Sequence, residues 1–291
     1  MKNKYILIAE VGCNHCGDFA LAKKLILAAK KSGADYVKFQ KRDVNSLPKE
    51  YFNMLHPNPY NAYGDNYAMH RKNLEFSIDQ HLELYNFCEE HSIKYAVSTW
   101  DYISAKELID LGINLDYIKI PSACNLDKEM IDYIIENFNG DLHISTGMTS
   151  DKELEKIINH LNNKNFLSNT IIYHSTSSYP CKFEDLFLNQ IKYLNDKYGK
   201  SIKGVGFSGH HLGIAADIAA LTLGARYIER HFTLDRTLKG TDHAASLEPI
   251  GLEKLSRDLL NVFKSLNDKK VDILESEIAN KKKLKFKQTL S

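Results

Sequence analysis

Ala20-Leu21-Ala22-Lys23-Lys24-Leu25-Ile26-Leu27-Ala28-Ala29-Lys30-Lys31-Ser32, then Gly33, then Tyr36-Val37-Lys38-Phe39-Gln40: this stretch holds a helix, its stop signal and a strand. Leu21, Leu25, Ile26 and Ala29 recur near one face at the helical period. Gly33 stands where a helix C-terminus calls for left-handed backbone. The short run at 36–40 is rich in β-formers, and another at 5–9 precedes the helix, so the unit reads strand–helix–strand. Working outward, β-rich runs follow at 94–98, 117–120, 142–145, 170–174, 205–207 and 226–228, the last continuing to His231. Amphipathic stretches at 78–91, 104–111, 128–138, 151–161, 188–198, 214–223 and 250–266 separate and close them. Strict alternation implies a parallel sheet, and eight such units close a (β/α)8 TIM barrel, an α/β fold. A doubly wound open sheet is the alternative.

The remaining features set bounds. A length of 291 residues exceeds the ~250 of a typical barrel but would also make two ordinary domains, so it does not decide. The reading is a barrel domain over 1–267 with a short C-terminal extension, the tail 268–291. A polar and aromatic insert at 42–76 is long enough to be functional or disordered. The tail carries Lys281-Lys282-Lys283-Leu284-Lys285-Phe286-Lys287, read as a solvated helix end or arm. Lys plus Arg (38) nearly balances Asp plus Glu (37), so no global field favours nucleic acid or a membrane surface. The apolar run after Met1-Lys2-Asn3-Lys4 stops at Glu10, too soon for a signal peptide. No stretch approaches the ~18 apolar residues of a membrane span. Five scattered cysteines suit reduced thiols and a cytoplasmic protein. Cys13-Asn14-His15-Cys16 has no second CxxC to complete a zinc site.

Chemistry in such barrels sits at the C-terminal ends of the strands. Those positions hold Glu10, Lys38 and Gln40, Ser98-Thr99, Lys119 leading to Ser122, Ser145-Thr146-Gly147, and His174 with Ser177 and Tyr179 just beyond. They continue with Ser208 and His210, then Glu229-Arg230-His231. Lys38 lies between Val37 and Phe39, and Lys119 between Ile118 and Ile120. Each lysine therefore faces away from its apolar neighbours, to the barrel mouth or to the helix side. With serines around them they suit a phosphate and a carboxylate, or else form ordinary ion pairs. His210 and His231 end adjacent strands and suit a divalent transition ion, or are satisfied histidines; His211 is a further candidate.

The stretches Ile8-Ala9-Glu10-Val11-Gly12-Cys13-Asn14-His15, Gly33-Ala34-Asp35-Tyr36-Val37-Lys38-Phe39-Gln40, Ser145-Thr146-Gly147-Met148, Tyr179-Pro180, Ile228-Glu229-Arg230-His231-Phe232-Thr233-Leu234-Asp235-Arg236 and Gly240-Thr241-Asp242-His243-Ala244-Ala245-Ser246-Leu247-Glu248-Pro249 resemble the sialic acid synthase (N-acetylneuraminate synthase) family over about residues 5–267. The resemblance implies condensation of phosphoenolpyruvate with an aldose such as N-acetylmannosamine. It implies a phosphoenolpyruvate cradle of Lys38, Thr99, Lys119, Ser122, Ser145 and Ser208, with Ser177 a further substrate contact. His210 and His231 are implied as ligands of Mn²⁺ or Mg²⁺, and Gln40, Tyr179 and Asp242 as sugar contacts. Glu10, Lys38, Lys119 and His231 are the implied catalytic residues, and a homodimer the implied assembly. Three departures stand out: Cys124 where the family commonly has an acid, Gly209 where it usually has Asp, and a sequence stopping at Ser291, where the linker to an antifreeze-like domain would begin. The insert is expected to cover the sugar instead. Rival readings are a synthase of another ulosonic acid, a metal-dependent sugar isomerase, and an inactive barrel serving as a binding subunit.

Overall fold

The protein is described over residues 5–285 by a computed structural model. Residues 1–4 and Phe286 and Lys287 of the basic tail lie outside the described residues. Eight parallel strands close into a barrel in chain order: β1 (Ile6–Gly12), β2 (Tyr36–Lys41), β3 (Lys94–Thr99), β4 (Tyr117–Ile120), β5 (Asp141–Ser145), β6 (Thr170–Ser175), β7 (Gly204–Gly209) and β8 (Tyr227–His231). β8 pairs with β1, which excludes the open sheet.

α1 (Phe19–Lys31) follows β1. α2 (Lys49–Phe52) and α3 (Tyr67–Leu74) lie in the insert, and α4 (Ile78–Glu90) leads to β3. The outer ring continues with α5 (Tyr102–Asp110), α6 (Lys128–Asn137), α7 (Asp151–Asn163), α8 (Asn189–Tyr198), α9 (Ala215–Thr222) and α10 (Pro249–Ser265). Gly33 takes φ +89° just past α1, and a Cβ there would lie 2.4 Å from Ser256 Oγ of α10. The tail forms the exposed helix α11 (Glu275–Leu284).

Side chains alternate across each strand, which divides the molecule into two cores. Outward residues such as Leu7, Val37, Phe39, Val97, Ile118, Ile144 and Phe207 pack against the helices. Inward, Ile8, Tyr36, Ala96, Tyr117, Ile171 and Tyr173 form a small separate cluster that plugs the lower barrel. His143 stacks on Tyr117 at 3.7 Å between centroids and meets the Tyr173 hydroxyl at 2.9 Å.

β1 runs past Glu10 because the carboxylate faces this lumen and meets a lysine there, so charge does not end the strand. The insert is ordered over its described length, since His70, Arg71, Leu74 and Phe76 bury against the barrel top. Phe76 stacks on His15 at 4.1 Å.

A fully buried ion pair ties β8 to the helix layer. Arg230 points outward from β8 and donates to Asp217 Oδ2 at 2.5 Å, Gly213 O at 2.7 Å and His211 O at 2.6 Å. His211 Nε2 lies 3.3 Å from the same carboxylate, which removes His211 from the metal candidates. Asp217→Ala would leave the Arg230 guanidinium buried without its counter-charge. Such losses cost about 3–5 kcal/mol, and urea unfolding should show a drop of that order. Asp217→Leu with Arg230→Met should recover most of it; a single-variant loss below about 1 kcal/mol would contradict the assignment.

Candidate active site

Above the apolar plug, period-two alternation brings charged side chains together inside the barrel. The register sets Glu10 beside Lys38 on one side and His231 on the other. It sets Ser208 beside Glu229, and Ser98 beside Lys119. Lys38 pairs with Glu10, donates to Ser98 Oγ at 2.6 Å and lies 3.7 Å from Glu229 Oε2. Lys119 donates to Glu229 Oε1 at 2.5 Å and sits 4.2 Å over the Tyr173 ring. Ser208 Oγ donates to Glu229 Oε1 at 3.0 Å. Both lysines thus face the lumen.

Burial opposes all four charges, and only their pairing keeps them. Glu229 is held firmly: burial raises its pKa, but Lys119 and Lys38 together hold it far below the ordinary carboxylate range. Lys119 is softer than an ordinary lysine. Burial pulls it down to about 8, helped by Lys38 and resisted by Glu229.

Glu229 was not among the candidates, although it stands two residues before His231 and so shares its side of the strand. Parity also corrects Thr99. Its hydroxyl points into the helix layer, 3.6 Å from Met130 Sδ, while Ser98 faces Lys38.

A second group gathers hydroxyls. Ser122 Oγ lies 3.3 Å from Ser175 Oγ and accepts the Gly147 amide at 2.9 Å. A Cβ on Gly147 would fall 2.4 Å from Ser177 Oγ, 2.9 Å from Ser122 Oγ and 3.1 Å from Ser175 Oγ, so these hydroxyls close on one small space. Asn125 ties this region together, donating to Ser145 O at 2.9 Å and Thr149 Oγ1 at 2.7 Å. A cavity of about 910 Å³ runs outward from here, lined by Ser175, Ser177, Met148, Phe187 and Tyr193. His174 lines it, whereas His210, His231 and the lumen charges do not.

A third group sits at the mouth. Gln40 Nε2 donates to Glu10 Oε1 at 3.1 Å. A Cβ on Gly12 would lie 3.1–3.3 Å from Gln40, Asp242 and Glu10, so all three converge. His210 and His231 have ring centroids 5.5 Å apart, with Tyr179 4.1 Å from the first and 5.9 Å from the second. His210 Nδ1 is 2.8 Å from Thr176 O, and burial, followed by His231, lowers its pKa to about 3. His231 Nδ1 is buried without a hydrogen-bond partner, 3.8 Å from Asp242 Oδ2. Among the described residues no three His, Cys, Asp or Glu side chains gather as an ion site. Two imidazoles on adjacent strands are nevertheless donors that suit a transition ion with open positions.

The departures have local explanations. The Cys124 thiol donates to Trp100 O at 3.1 Å, and burial pushes its pKa up to about 11, so it stays neutral. Position 209 faces the helix layer, where a Cβ would lie 2.8 Å from both His211 and Phe207; Gly209 therefore removes no group from the mouth. Cys13 contacts Arg71 at 3.5 Å and Cys16 contacts His243 at 3.6 Å, and all five cysteines are free.

The comparisons with known proteins agree with this architecture. The NeuB family profile matches residues 25–271. The chain is 37% identical to an N-acetylneuraminate-9-phosphate synthase of Drosophila melanogaster, covering 88% of this chain and 67% of that protein. It is 33% identical to an N,N'-diacetyllegionaminic acid synthase of Campylobacter jejuni, covering 97% and 86%. The crystal structure of an N-acetylneuraminic acid (sialic acid) synthetase from Leptospira borgpetersenii, in complex with citrate, superposes with a TM-score of 0.80 at 28% identity, covering 98% and 94%. No helix among the described residues is long and apolar enough to cross a membrane.

The softness of Lys119 sets a pH dependence. It is charged below its lowered pKa of about 8 and neutral above it, so the lumen should lose affinity for a small dianion as pH rises through that value. Calorimetric titration with inorganic phosphate, from neutral pH to about 10, should show the fall. Glu229→Gln removes the group that resists the downward shift, so its midpoint should lie lower. An unchanged midpoint would argue against the network.

Proposed function

The chain belongs to the NeuB family, and on that premise we propose that it joins phosphoenolpyruvate to the aldehyde of an N-acetylmannosamine-like aldose, giving a sialic-acid-like 2-keto-3-deoxy sugar acid and phosphate. It is an enzyme of a family whose relatives are named as synthases of several sugar acids. The observation that carries the reading is the pair of buried lysines whose counter-charges are internal glutamates. An incoming phosphate or carboxylate can share or replace those counter-charges without bringing a bare charge into the barrel. The hydroxyls of Ser122, Ser175 and Ser177 offer neutral donors as well.

In the proposed reaction C3 of phosphoenolpyruvate forms a bond to the aldehyde carbon, whose oxygen takes a proton. Water adds at the electron-poor C2, giving up a proton. The C2–O bond to phosphate then breaks as the new C2 hydroxyl passes its proton to the departing phosphate, which leaves the ketone, so one water is consumed for each phosphate released. Glu10, bridging Lys38 and Gln40, stands where it can hold that water and accept its proton. Lys38 and Lys119 offset negative charge on the phosphate and carboxylate throughout. His210 and His231 would hold a divalent ion, and the imidazole pair fits Mn²⁺ better than Mg²⁺, which prefers oxygen ligands. When bound, such an ion supplies Lewis acidity to the aldehyde oxygen. The isomerase alternative loses support, because Glu229 is committed to Lys119 and Lys38.

Phosphate release from phosphoenolpyruvate with Mn²⁺, across N-acetylmannosamine, mannose, arabinose 5-phosphate and diacetamido-sugars, tests the reading. Release should require one of the aldoses and be lost in His231→Ala; release that ignores the aldose would sink it. Gly147→Ala should raise the KM for phosphoenolpyruvate about tenfold and that for the aldose far less. In the insert, Tyr63 donates to Lys239 O at 2.5 Å and Asn61 Oδ1 accepts the Gly240 amide at 3.3 Å, beside Asp242. Deleting residues 58–64 should therefore raise the aldose KM more than the phosphoenolpyruvate KM; equal effects would contradict a sugar-covering role.

A further inference from the structure

The turn Cys13-Asn14-His15-Cys16, which leaves β1 beside the mouth, has no part in the proposed reaction. The Cys16 amide donates to Cys13 O at 2.9 Å and closes the turn. The Asn14 side chain donates to Phe232 O and Ser246 Oγ, each at 2.9 Å, and pins the turn to the chain beyond β8. Cys16 takes φ +55°, left-handed backbone that a residue with a Cβ keeps only where its surroundings impose it.

The two thiols stand in different surroundings. Cys13 Sγ lies 3.5 Å from Arg71 Nη1 and 3.8 Å from Gln40 Oε1, and burial pushes its pKa up to about 11 against the pull of the guanidinium. Cys16 is partly exposed. Its Sγ lies 3.6 Å from His243 Nε2, with Asn14 O at 3.5 Å and Lys239 O at 3.8 Å as further acceptors. The bonds behind His243 set its tautomer. The Thr233 hydroxyl donates to Asp235 O at 3.1 Å, so its oxygen accepts from His243 Nδ1 at 2.8 Å. Nε2 is then the bare nitrogen, and it faces the thiol. Burial lowers the pKa of the ring, which keeps it neutral and able to take a proton. A thiol beside an imidazole base, with the base oriented by a third group, is an arrangement that activates sulfur.

The turn also supplies a partner for that sulfur. A closed four-residue turn keeps its end Cα atoms within about 7 Å, and a disulfide spans about 4.4–6.8 Å. Cys13 and Cys16 are those ends. The remaining cysteines are placed otherwise: Cys88 and Cys181 are buried, and Cys124 donates to Trp100 O.

We propose that Cys13 and Cys16 form an oxidative modification site for hydroperoxides, with Cys16 the reacting thiol, His243 its base and Cys13 the resolving thiol. Cys16 passes its proton to His243 Nε2, and its sulfur takes one peroxide oxygen. The O–O bond breaks, the sulfur is oxidised to a sulfenic acid and the peroxide is reduced. The proton leaves with the second oxygen as water or an alcohol. The Cys13 sulfur then bonds to the Cys16 sulfur, the S–O bond breaks, and the Cys13 proton departs with that hydroxyl as water. The disulfide takes Cys13 away from Gln40 and Arg71, and Cys16 away from Lys239 O, where Tyr63 also binds. On the phosphoenolpyruvate–aldose reading, on which this consequence rests, oxidation loosens the aldose side of the mouth and leaves the lumen lysines in place.

The test treats the full reduced chain with hydrogen peroxide at neutral pH, quenches with N-ethylmaleimide and maps the cysteines by mass spectrometry. A Cys13–Cys16 disulfide should form at least about tenfold faster than Cys124 oxidises, and dithiothreitol should reverse it. In Cys13→Ser, dimedone should capture Cys16 as its sulfenic acid. Cys16→Ser should leave Cys13 reduced on the same time scale. His243→Gln should slow the first step about tenfold with an unchanged circular dichroism spectrum. Thr233→Val, which keeps the imidazole but frees Nδ1, should slow it less. Equal oxidation of Cys16 and Cys124, or capture at Cys13 instead of Cys16, overturns the site. Oxidation should raise the aldose KM about tenfold and the phosphoenolpyruvate KM less than about twofold, and Cys16→Ser should be immune. A disulfide that leaves both KM values unchanged overturns the coupling to the mouth. A chain that forms the disulfide but, when reduced, turns over no aldose keeps the site and removes the reaction.

Discussion

Glu10, Lys38, Glu229 and Lys119 share the inside of the barrel, and no one of them can be buried there alone. Transferring a single ion from water into such a space costs several kcal/mol even after relaxation. Alternating the signs around the lumen, with Ser98 and Ser208 filling further hydrogen-bonding positions, offsets that cost. The arrangement demands strand closure, because Glu229 reaches Lys38 only when β8 returns beside β1. The charges that make the site therefore also report that the barrel is shut.

The lower barrel fixes the height of this network. Tyr36, Tyr117 and Tyr173 with Ile8, Ala96 and Ile171 exclude water beneath it. Tyr173 fits because Gly206 opposes it; a Cβ there would come within 2.5 Å of the ring. With the bottom filled, an anion can approach only from the strand C-terminal ends, where the hydroxyls, the imidazole pair and Gln40 stand. The polar gradient from plug to mouth gives a substrate a direction of entry and a reason to stop.

The outer layer solves a different problem with similar groups. Arg230, Asp217 and His211 are as buried as the lumen charges, yet face the helices. They tie β8 to α9 and hold the β7 loop, from which His210 projects. Function and support thus alternate residue by residue along one strand: Glu229 inward, Arg230 outward, His231 inward.

The alternation of elements was legible in the sequence because it rests on local periodicity: apolar residues at helical spacing, β-rich runs, and Gly33 at a helix end. Lys38, Lys119, Ser122, Ser177, Ser208 and Gln40 were legible as polar groups at strand ends and Asp242 only through the resemblance; the structure divides them between the lumen, the hydroxyl group and the mouth. The facing of side chains was not legible, because it depends on which neighbours a strand acquires only when the barrel closes. Thr99 and Ser98 are adjacent and chemically alike, and parity alone sends one to Met130 and the other to Lys38. Glu229 read as a strand-end charge until Lys119, 110 residues away in the chain, arrived beside it. Arg42, Arg71 and Glu75 likewise meet only because the insert folds back across β2. The sequence by itself determined the repeating strand–helix unit, since short-range packing and hydrogen bonding dictate it. Only the tertiary structure decided which charges face one another, since a buried charge is placed by its partner.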